Sequence, residues 1–204
     1  MKNSNGMKML VIAALIVGVL ALSLGFAAFS NTLTIKSSAT VNPSSSNFNV
    51  SLSRSNSSAT TGNVTPTTTG ATATNATLTA TTISNLKATF TNVGQSVKYS
   101  FYAYNGGSFA AYLNSVAIGG KTCTASSGTS QSYVDAACEG ISISVKVGSQ
   151  TFNASNTNIS SHSLATGTAE QVEVTIAYAA GSAVADGDFT VAFGDTTLTY
   201  GSAD

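Results

Sequence analysis

Apolar and polar residues alternate along most of this chain, and a period of two is typical of β-strands that bury one face. The alternation is longest from Phe29 to Val41, where every even position from Ser30 to Asn42 is polar. A strand of this length exceeds the usual strand of a globular domain. We therefore expect an N-terminal β-arm over residues 28–42, whose apolar positions are Phe29, Leu33, Ile35, Ala39 and Val41.

Shorter alternating stretches follow, separated by turn signals such as Asn105-Gly106-Gly107. The clearest lie at 48–52, 86–90, 97–104, 110–118, 141–147, 172–178 and 189–193. The pattern contains no convincing helix beyond residue 29. It predicts an all-β fold, an antiparallel β-sandwich of jelly-roll type over residues 43–204. Residues 54–75 are rich in Ser, Thr, Gly and Asn, which predicts a long low-complexity loop.

The first 27 residues have the organisation of a secretory signal peptide. Two lysines precede an almost wholly apolar run from Met9 to Leu24, which we expect to be helical. Small residues at Gly25 and Ala27 predict cleavage by signal peptidase between Ala27 and Ala28. The apolar stretch is also long enough to span a bilayer, so a retained anchor is the alternative. The protein is expected outside the cell or at its surface, with membrane contact confined to this segment before cleavage.

The sequence contains two cysteines, Cys123 and Cys138. In an exported protein an even number of cysteines favours a disulfide. The bond would close the loop 124–137 and would contribute about 3 kcal/mol if it acts by restricting the unfolded chain. A metal site at this pair would need further ligands, and the sequence contains one histidine, His162.

Charged residues make up 8% of the chain and form no basic cluster, which excludes a nucleic-acid partner. All eight acidic residues lie at or beyond Asp135, whereas most of the basic residues after the export segment precede it. This asymmetry is either incidental to a fold that mixes both halves, or it guides head-to-tail contact between subunits.

Residue types that support catalysis or metal binding are scarce. Zinc hydrolysis needs about three His or carboxylate ligands, and the chain has no His-Glu-x-x-His motif. His162 is expected to be a solvated loop residue, and Glu170 and Glu173 form either a carboxylate pair or the charged rim of a strand. Asp186-Gly187-Asp188, with Asp195 nearby, is expected to be a plain turn, with a Ca²⁺ site as the alternative. We expect no enzymatic activity, no cofactor and no metal site.

Four passages stand in a recognisable order. The exit from the export segment, 25–31, leads into the alternating arm, and Ile83-Ser84-Asn85-Leu86-Lys87 precedes the strand at 97–104. That strand ends at Asn105-Gly106-Gly107-Ser108 and is followed by an Ala-rich strand. The order resembles the TasA/camelysin family of secreted fibre-forming proteins. The chain departs from that family in having fewer Lys, Asp and Glu residues and in carrying a cysteine pair.

The resemblance implies assembly by donor-strand exchange, in which the N-terminal strand of one subunit completes the sandwich of its neighbour. Phe29, Leu33 and Ile35 would then fill pockets of the acceptor. The alternative is that this strand folds back into its own sandwich. The predicted function is therefore a structural subunit of extracellular fibres or of a biofilm-type matrix, with itself as the partner in a homopolymer. A cell-surface binding or adhesion module, either monomeric or anchored by a retained N-terminal helix, is the alternative function.

Overall fold

The computed structural model describes residues 48–157, 159, 162–194 and 196–202 and, as backbone, the strand at 30–35. Nearly all regular structure in these residues is β-strand, so the predicted all-β class is confirmed. The predicted N-terminal helix and signal peptide, residues 1–27, lie outside the described residues. The helix is α1 (Gln131–Cys138), and the strands are β1 (Ser30–Ile35), β2 (Val50–Ser53), β3 (Gly62–Val64), β4 (Thr67–Thr69), β5 (Thr72–Ala73), β6 (Ala76–Leu78), β7 (Ile83–Ser84), β8 (Lys87–Phe90), β9 (Ser96–Asn105), β10 (Ala111–Ala117), β11 (Lys121–Ala125), β12 (Ile141–Val147), β13 (Gln150–Phe152), β14 (Ser163–Leu164), β15 (Ala169–Tyr178), β16 (Phe189–Phe193) and β17 (Thr196–Gly201).

The largest sheet is built on the two longest strands, β9 and β15. Its order is β13-β12-β15-β9-β2, and β4 also pairs with β9. The strands β9 and β15 are antiparallel, with Phe101 opposite Val172 and Val97 opposite Ile176. Alternate residues of both strands are buried, so one face of the sheet lies on the core and the other faces solvent. The predicted common face of Val97, Tyr99 and Phe101 is confirmed, since all three side chains are buried.

Three further sheets complete the fold, with the orders β1-β17-β10-β14, β11-β16-β8-β5 and β3-β6-β7. The strand pairs for which a register is defined are all antiparallel. Buried apolar residues from all four sheets belong to one hydrophobic cluster. Antiparallel sheets that share a core in this way are consistent with a β-sandwich.

An aromatic cluster joins the largest sheet to the sheet that contains β8 and β16. The ring of Tyr178, at the end of β15, packs edge-on against Phe90 at 5.8 Å and against Phe189 at 5.7 Å. The Tyr178 hydroxyl donates a hydrogen bond to the carbonyl oxygen of Ala183. Edge-to-face packing of buried rings contributes beyond the area they bury, and the bonded hydroxyl leaves no polar group unsatisfied here.

The segment 54–75 was predicted as one long loop, and this is wrong for its second half. Residues 54–61 connect strands, but β3, β4 and β5 follow within the segment. Threonine, which is common here, is β-branched and favours strands. The three strands pair with β6, β9 and β8 respectively. The threonines of β4 and β5 are exposed and β3 buries only Val64, so the low hydrophobicity of the segment concealed these short strands.

The helix α1 also departs from the prediction of no helix beyond residue 29. It lies within the segment that the disulfide closes, and it buries Val134 and Ala137, which are three positions apart on one helical face. An eight-residue helix is marginal alone, so its packing against β11 and the disulfide at its last residue stabilise it. The described part of the chain contains no helix with the length and hydrophobicity that a membrane crossing requires.

Candidate functional site

The first described strand and the last strand of the chain lie side by side. β1 is at the edge of its sheet and hydrogen bonds to β17, whose other neighbour is β10. Within β17, Thr196, Leu198 and Tyr200 are buried, whereas Thr197 and Thr199 are half-buried. Leu113 and Val116 of β10 lie opposite Tyr200 and Leu198 on the same core face. β17 is thus anchored on one side by β10 and offers its other edge to β1.

The residues predicted to form a donor strand are described only in part. Leu33 and Ile35 lie in β1, and in this structure of a single chain β1 pairs with β17 of the same chain, the fold-back arrangement. Phe29, Ala39 and Val41 lie outside the described residues, as does the predicted cleavage site between Ala27 and Ala28.

Behind the β17 edge, three polar side chains meet in the core. His162 Nε2 lies 2.5 Å from Glu170 Oε2, and the Tyr200 hydroxyl donates a 2.7 Å hydrogen bond to Glu170 Oε1. The side chains of His162 and Glu170 are 12% and 13% exposed, and Tyr200 is fully buried. One carboxylate, on β15 of the largest sheet, therefore binds Tyr200 of β17 and the residue directly before β14, and both strands belong to the sheet that contains β1.

The backbone explains how the three side chains converge. Glu170 is in phase with Val172 and Val174, so the alternation of β15 directs its side chain inward. Tyr200 is in phase with Leu198, which directs its ring inward from β17. The backbone carbonyl of His162 accepts a hydrogen bond from the Leu113 N–H, which holds the residue beside β10.

Glu170 raises the pKa of both of its partners. The hydrogen bond with Glu170 raises the pKa of His162 above its ordinary value; burial acts in the opposite direction, and the Glu170 charge adds to the increase. Burial, and then the charge and hydrogen bond of Glu170, raise the pKa of Tyr200 well above its ordinary value. At neutral pH Tyr200 is therefore a permanent donor to Glu170, whereas the ordinary pKa of His162 lies nearer neutrality and is raised in this cluster.

The structure corrects two predictions for these residues. His162 is not a solvated loop residue, because its ring is mostly buried and paired with Glu170. Glu170 and Glu173 are not a carboxylate pair, because they lie on opposite faces of β15. Glu173 is on the outer face, where its carboxylate oxygens lie 3.0 Å from Lys98 Nζ and 3.9 Å from Lys146 Nζ. The prediction of a charged rim is therefore correct for Glu173 alone.

The predicted disulfide between Cys123 and Cys138 is confirmed. It joins β11, an edge strand, to the last residue of α1, with the Cα atoms 6.0 Å apart. Gln131, the first residue of the helix, accepts a hydrogen bond from the Ala125 N–H and donates one to the Cys123 carbonyl. The helix and the bond therefore hold the β11 edge, where an unpaired strand would otherwise be open to another chain. A disulfide of this kind is typical of an oxidising, extracellular environment.

The turn at Asp186-Gly187-Asp188 serves the start of α1. Asp186 Oδ1 accepts a 3.0 Å hydrogen bond from the Ser130 N–H, and the Asp188 carbonyl accepts one from the Thr129 hydroxyl. Asp195, the other residue of the alternative Ca²⁺ site, lies outside the described residues. Among the residues that the structure describes, no three His, Cys, Asp or Glu side chains are grouped so that they could hold a metal ion.

The sequence contained one signal for the His162–Glu170–Tyr200 cluster. Glu170 occupies an even position of a strand whose other even positions, Val172 to Tyr178, are apolar. An acidic residue in phase with a buried face indicates a partner in the core. Its partners could not be identified from the pattern, because Tyr200 is 30 positions away.

Comparison of the chain with known proteins finds no family model, no curated protein and no solved structure that matches it.

Proposed function

We propose that this chain is a secreted structural subunit of extracellular fibres or of a biofilm-type matrix, and that it assembles by donor-strand exchange of its N-terminal arm. The observation that carries the proposal is the pairing of β1 with β17 at the edge of a sheet. A terminal strand at a sheet edge can be replaced by the same strand of another copy. The second strand offers that edge the same backbone hydrogen bonds and the same side chains.

The arm has the pattern that exchange requires. Its alternation continues beyond β1 to Val41, so apolar side chains recur on one face while Ser, Thr and Lys36 occupy the other. An arm of this kind, without a groove to fill, exposes unpaired backbone groups and an apolar face. Assembly with a second copy removes both from water, which is the physical basis of the proposal.

Three further expectations belong to the same proposal. The sandwich is of jelly-roll type and is related to the TasA/camelysin family. The export segment is cleaved after Ala27, which frees the arm outside the cell. The mature protein acts without catalysis, a cofactor or a nucleic acid, and successive subunits associate head to tail.

Deletion of residues 28–41 tests the proposal directly. The intact mature protein should form fibres visible by electron microscopy, and the deleted protein should stay monomeric in sedimentation. A synthetic peptide of residues 28–42 should bind the deleted protein, whereas a peptide of the same composition in scrambled order should not. Fibres formed by the deleted protein would refute donor-strand exchange.

A second candidate function, a monomeric surface binding module, has its own supporting observations. In the single chain β1 already occupies the β17 edge, an arrangement that suits a monomer.

A cleft of about 420 Å³ also lies beside β12, lined by Ile118, Lys121, Ile143 and Asn153 among others. This volume lies within the range of small-ligand sites. Lys121 Nζ, which donates a hydrogen bond to the Ile141 carbonyl, provides a polar group in the partly apolar lining of this cleft. A mature protein that remains monomeric at high concentration would favour this candidate.

A further inference from the structure

The edge strand that accepts β1 is held from behind by a carboxylate that also binds the one histidine of the chain. β17 contacts the largest sheet through the Tyr200 hydroxyl and Glu170 Oε1, and the other oxygen of Glu170 binds His162. When His162 is protonated, Glu170 is paired with a cation and with a neutral donor. When His162 is neutral, the buried carboxylate loses its only cationic partner in the described structure, which a low-dielectric site disfavours.

We propose that the contact between His162 and Glu170 controls strand exchange at β17, and that exchange is slow while His162 is protonated and accelerates when it is neutral. This inference rests on the proposed function, since it concerns the same strand and the same edge. Weaker anchoring of Glu170 weakens the Tyr200 hydrogen bond. β17 is then held less firmly, so the backbone ladder that it forms with β1 opens more often and β1 leaves the edge more readily.

The surroundings of the cluster leave His162 as the responsive group. Glu173 on β15, Lys98 on β9 and Lys146 on β12 form a network on the outer face of the largest sheet. Tyr104 of β9 and Tyr112 of β10 are out of phase with their buried neighbours and also point outward. Gly148, which also lies beside Glu170 and His162, carries no side chain. His162 is also the one histidine in the chain, and both cysteines are paired. No other side chain that is free to titrate therefore has an ordinary pKa between about 5.5 and 8.5.

A glycine makes room for the contact. Gly148, in the turn between β12 and β13, has φ +57°, and a Cβ built there would stand 3.1 Å from Glu170 Oε2 and 3.6 Å from His162 Cε1. The Gly148 N–H donates to the Gln171 carbonyl, which fixes the turn against β15. The absence of a side chain at Gly148 therefore leaves the space that the contact between His162 and Glu170 needs.

Hydrogen exchange at β17 tests the control without requiring fibres. Full-length protein and the variant His162→Gln, whose amide can still donate to Glu170, are compared at pH 5.5 and 8.5, and the rates are corrected for the intrinsic pH dependence of exchange. The protection of Thr197–Tyr200 should fall on the order of tenfold more in the wild type than in the variant. Glu170→Gln, which keeps acceptor capacity without charge, serves as a second variant should the first not fold. Equal falls in wild type and both variants would overturn the inference.

Exchange itself is measured by mixing two singly substituted proteins. Thr34→Cys lies in β1 and Thr197→Cys in β17, and the native cysteines are already paired. A disulfide between the two proteins reports that the arm of one lies on the β17 edge of the other. The cross-link should form faster at pH 8.5 than at pH 5.5, and with His162→Gln in both partners the two rates should converge once corrected with a free-thiol standard.

The outcomes separate the two claims. Cross-links that form at the same corrected rate at both pH values overturn the control by His162 and leave donor-strand exchange standing. No cross-link at either pH overturns the proposed function and with it the role of His162 in exchange, even where the protection of β17 responds to pH.

Discussion

Tyr200 and Glu170 join the last strand of the chain to the centre of the fold. The Tyr200 hydroxyl, on β17, donates a 2.7 Å hydrogen bond to Glu170 Oε1 on β15, a strand of another sheet. Both partners are in phase with apolar residues of their strands, so the bond lies among buried side chains. A charge-assisted hydrogen bond in such a place fixes the position of one sheet on the other more specifically than apolar packing alone.

Tyr200→Phe removes this bond and keeps the ring. The Glu170 carboxylate then loses its buried donor, and we expect the free energy of unfolding to fall by about 2 kcal/mol, as for a hydrogen bond to a charged group. Urea denaturation at pH 7 measures it. Tyr102→Phe is the matched control, since Tyr102 lies on the outer face of β9 and should change stability little. Equal losses in the two variants would contradict the role of the Tyr200 bond.

Gly148→Ala should destabilise the protein for two reasons. A side chain at φ +57° costs about 1 kcal/mol, and the new Cβ would stand 3.1 Å from Glu170 Oε2, which adds about 1–3 kcal/mol because the carboxylate is fixed by two partners. Gly94→Ala is the control, since its φ is +80° and a Cβ there meets nothing within 4 Å. Thermal unfolding of both variants separates the cost of the positive φ, which they share, from the cost of the close contact, which only Gly148→Ala has. The prediction fails if Gly94→Ala lowers the melting temperature as much as Gly148→Ala.

The parts of the fold that the sequence predicted are those in which neighbouring residues carry the signal. The strands β9, β12 and β15 each contain enough alternating residues to establish a period of two. The disulfide followed from the number of cysteines and the export segment. These features depend on local pattern or on covalent chemistry, and neither requires knowledge of what packs against them.

The missed features depend on contacts between distant residues. α1 has one turn-spaced apolar pair, Val134 and Ala137, and exists because β11 and the disulfide support it. The short strands in 54–75 bury few side chains, with Val64 of β3 among them, so no alternating pattern marks them. The flanking serines predict a solvated His162, but its partner Glu170 is eight residues away and its position depends on a hydrogen bond with β10.

Removal of the disulfide by the double substitution Cys123→Ala and Cys138→Ala should lower stability by about 3 kcal/mol, the loop-closure effect for a segment of this length. Because the bond ends at the last residue of α1, the helix should lose protection before the sheets do. Differential scanning calorimetry measures the first effect and hydrogen exchange of Gln131–Cys138 the second. Reduced wild-type protein is the control and should match the double variant. Uniform loss of protection across β9 and α1 would contradict a local role for the bond.

The pH dependence of stability provides the last prediction, and its sign follows from the pKa of His162. Glu170 raises this pKa in the folded protein above the unfolded value, so protonation stabilises the fold. The contribution is fully present below about pH 6.5, the unfolded value, and is lost as the pH rises through the raised folded pKa. Between these limits the wild type should lose stability relative to His162→Gln, in which position 162 does not titrate. Urea denaturation of both proteins at pH 5.5, 7.0 and 8.5 gives the difference at each pH. Because the subtraction cancels all groups that the proteins share, a difference that is constant or grows with pH would show that the His162–Glu170 contact does not stabilise the protonated form.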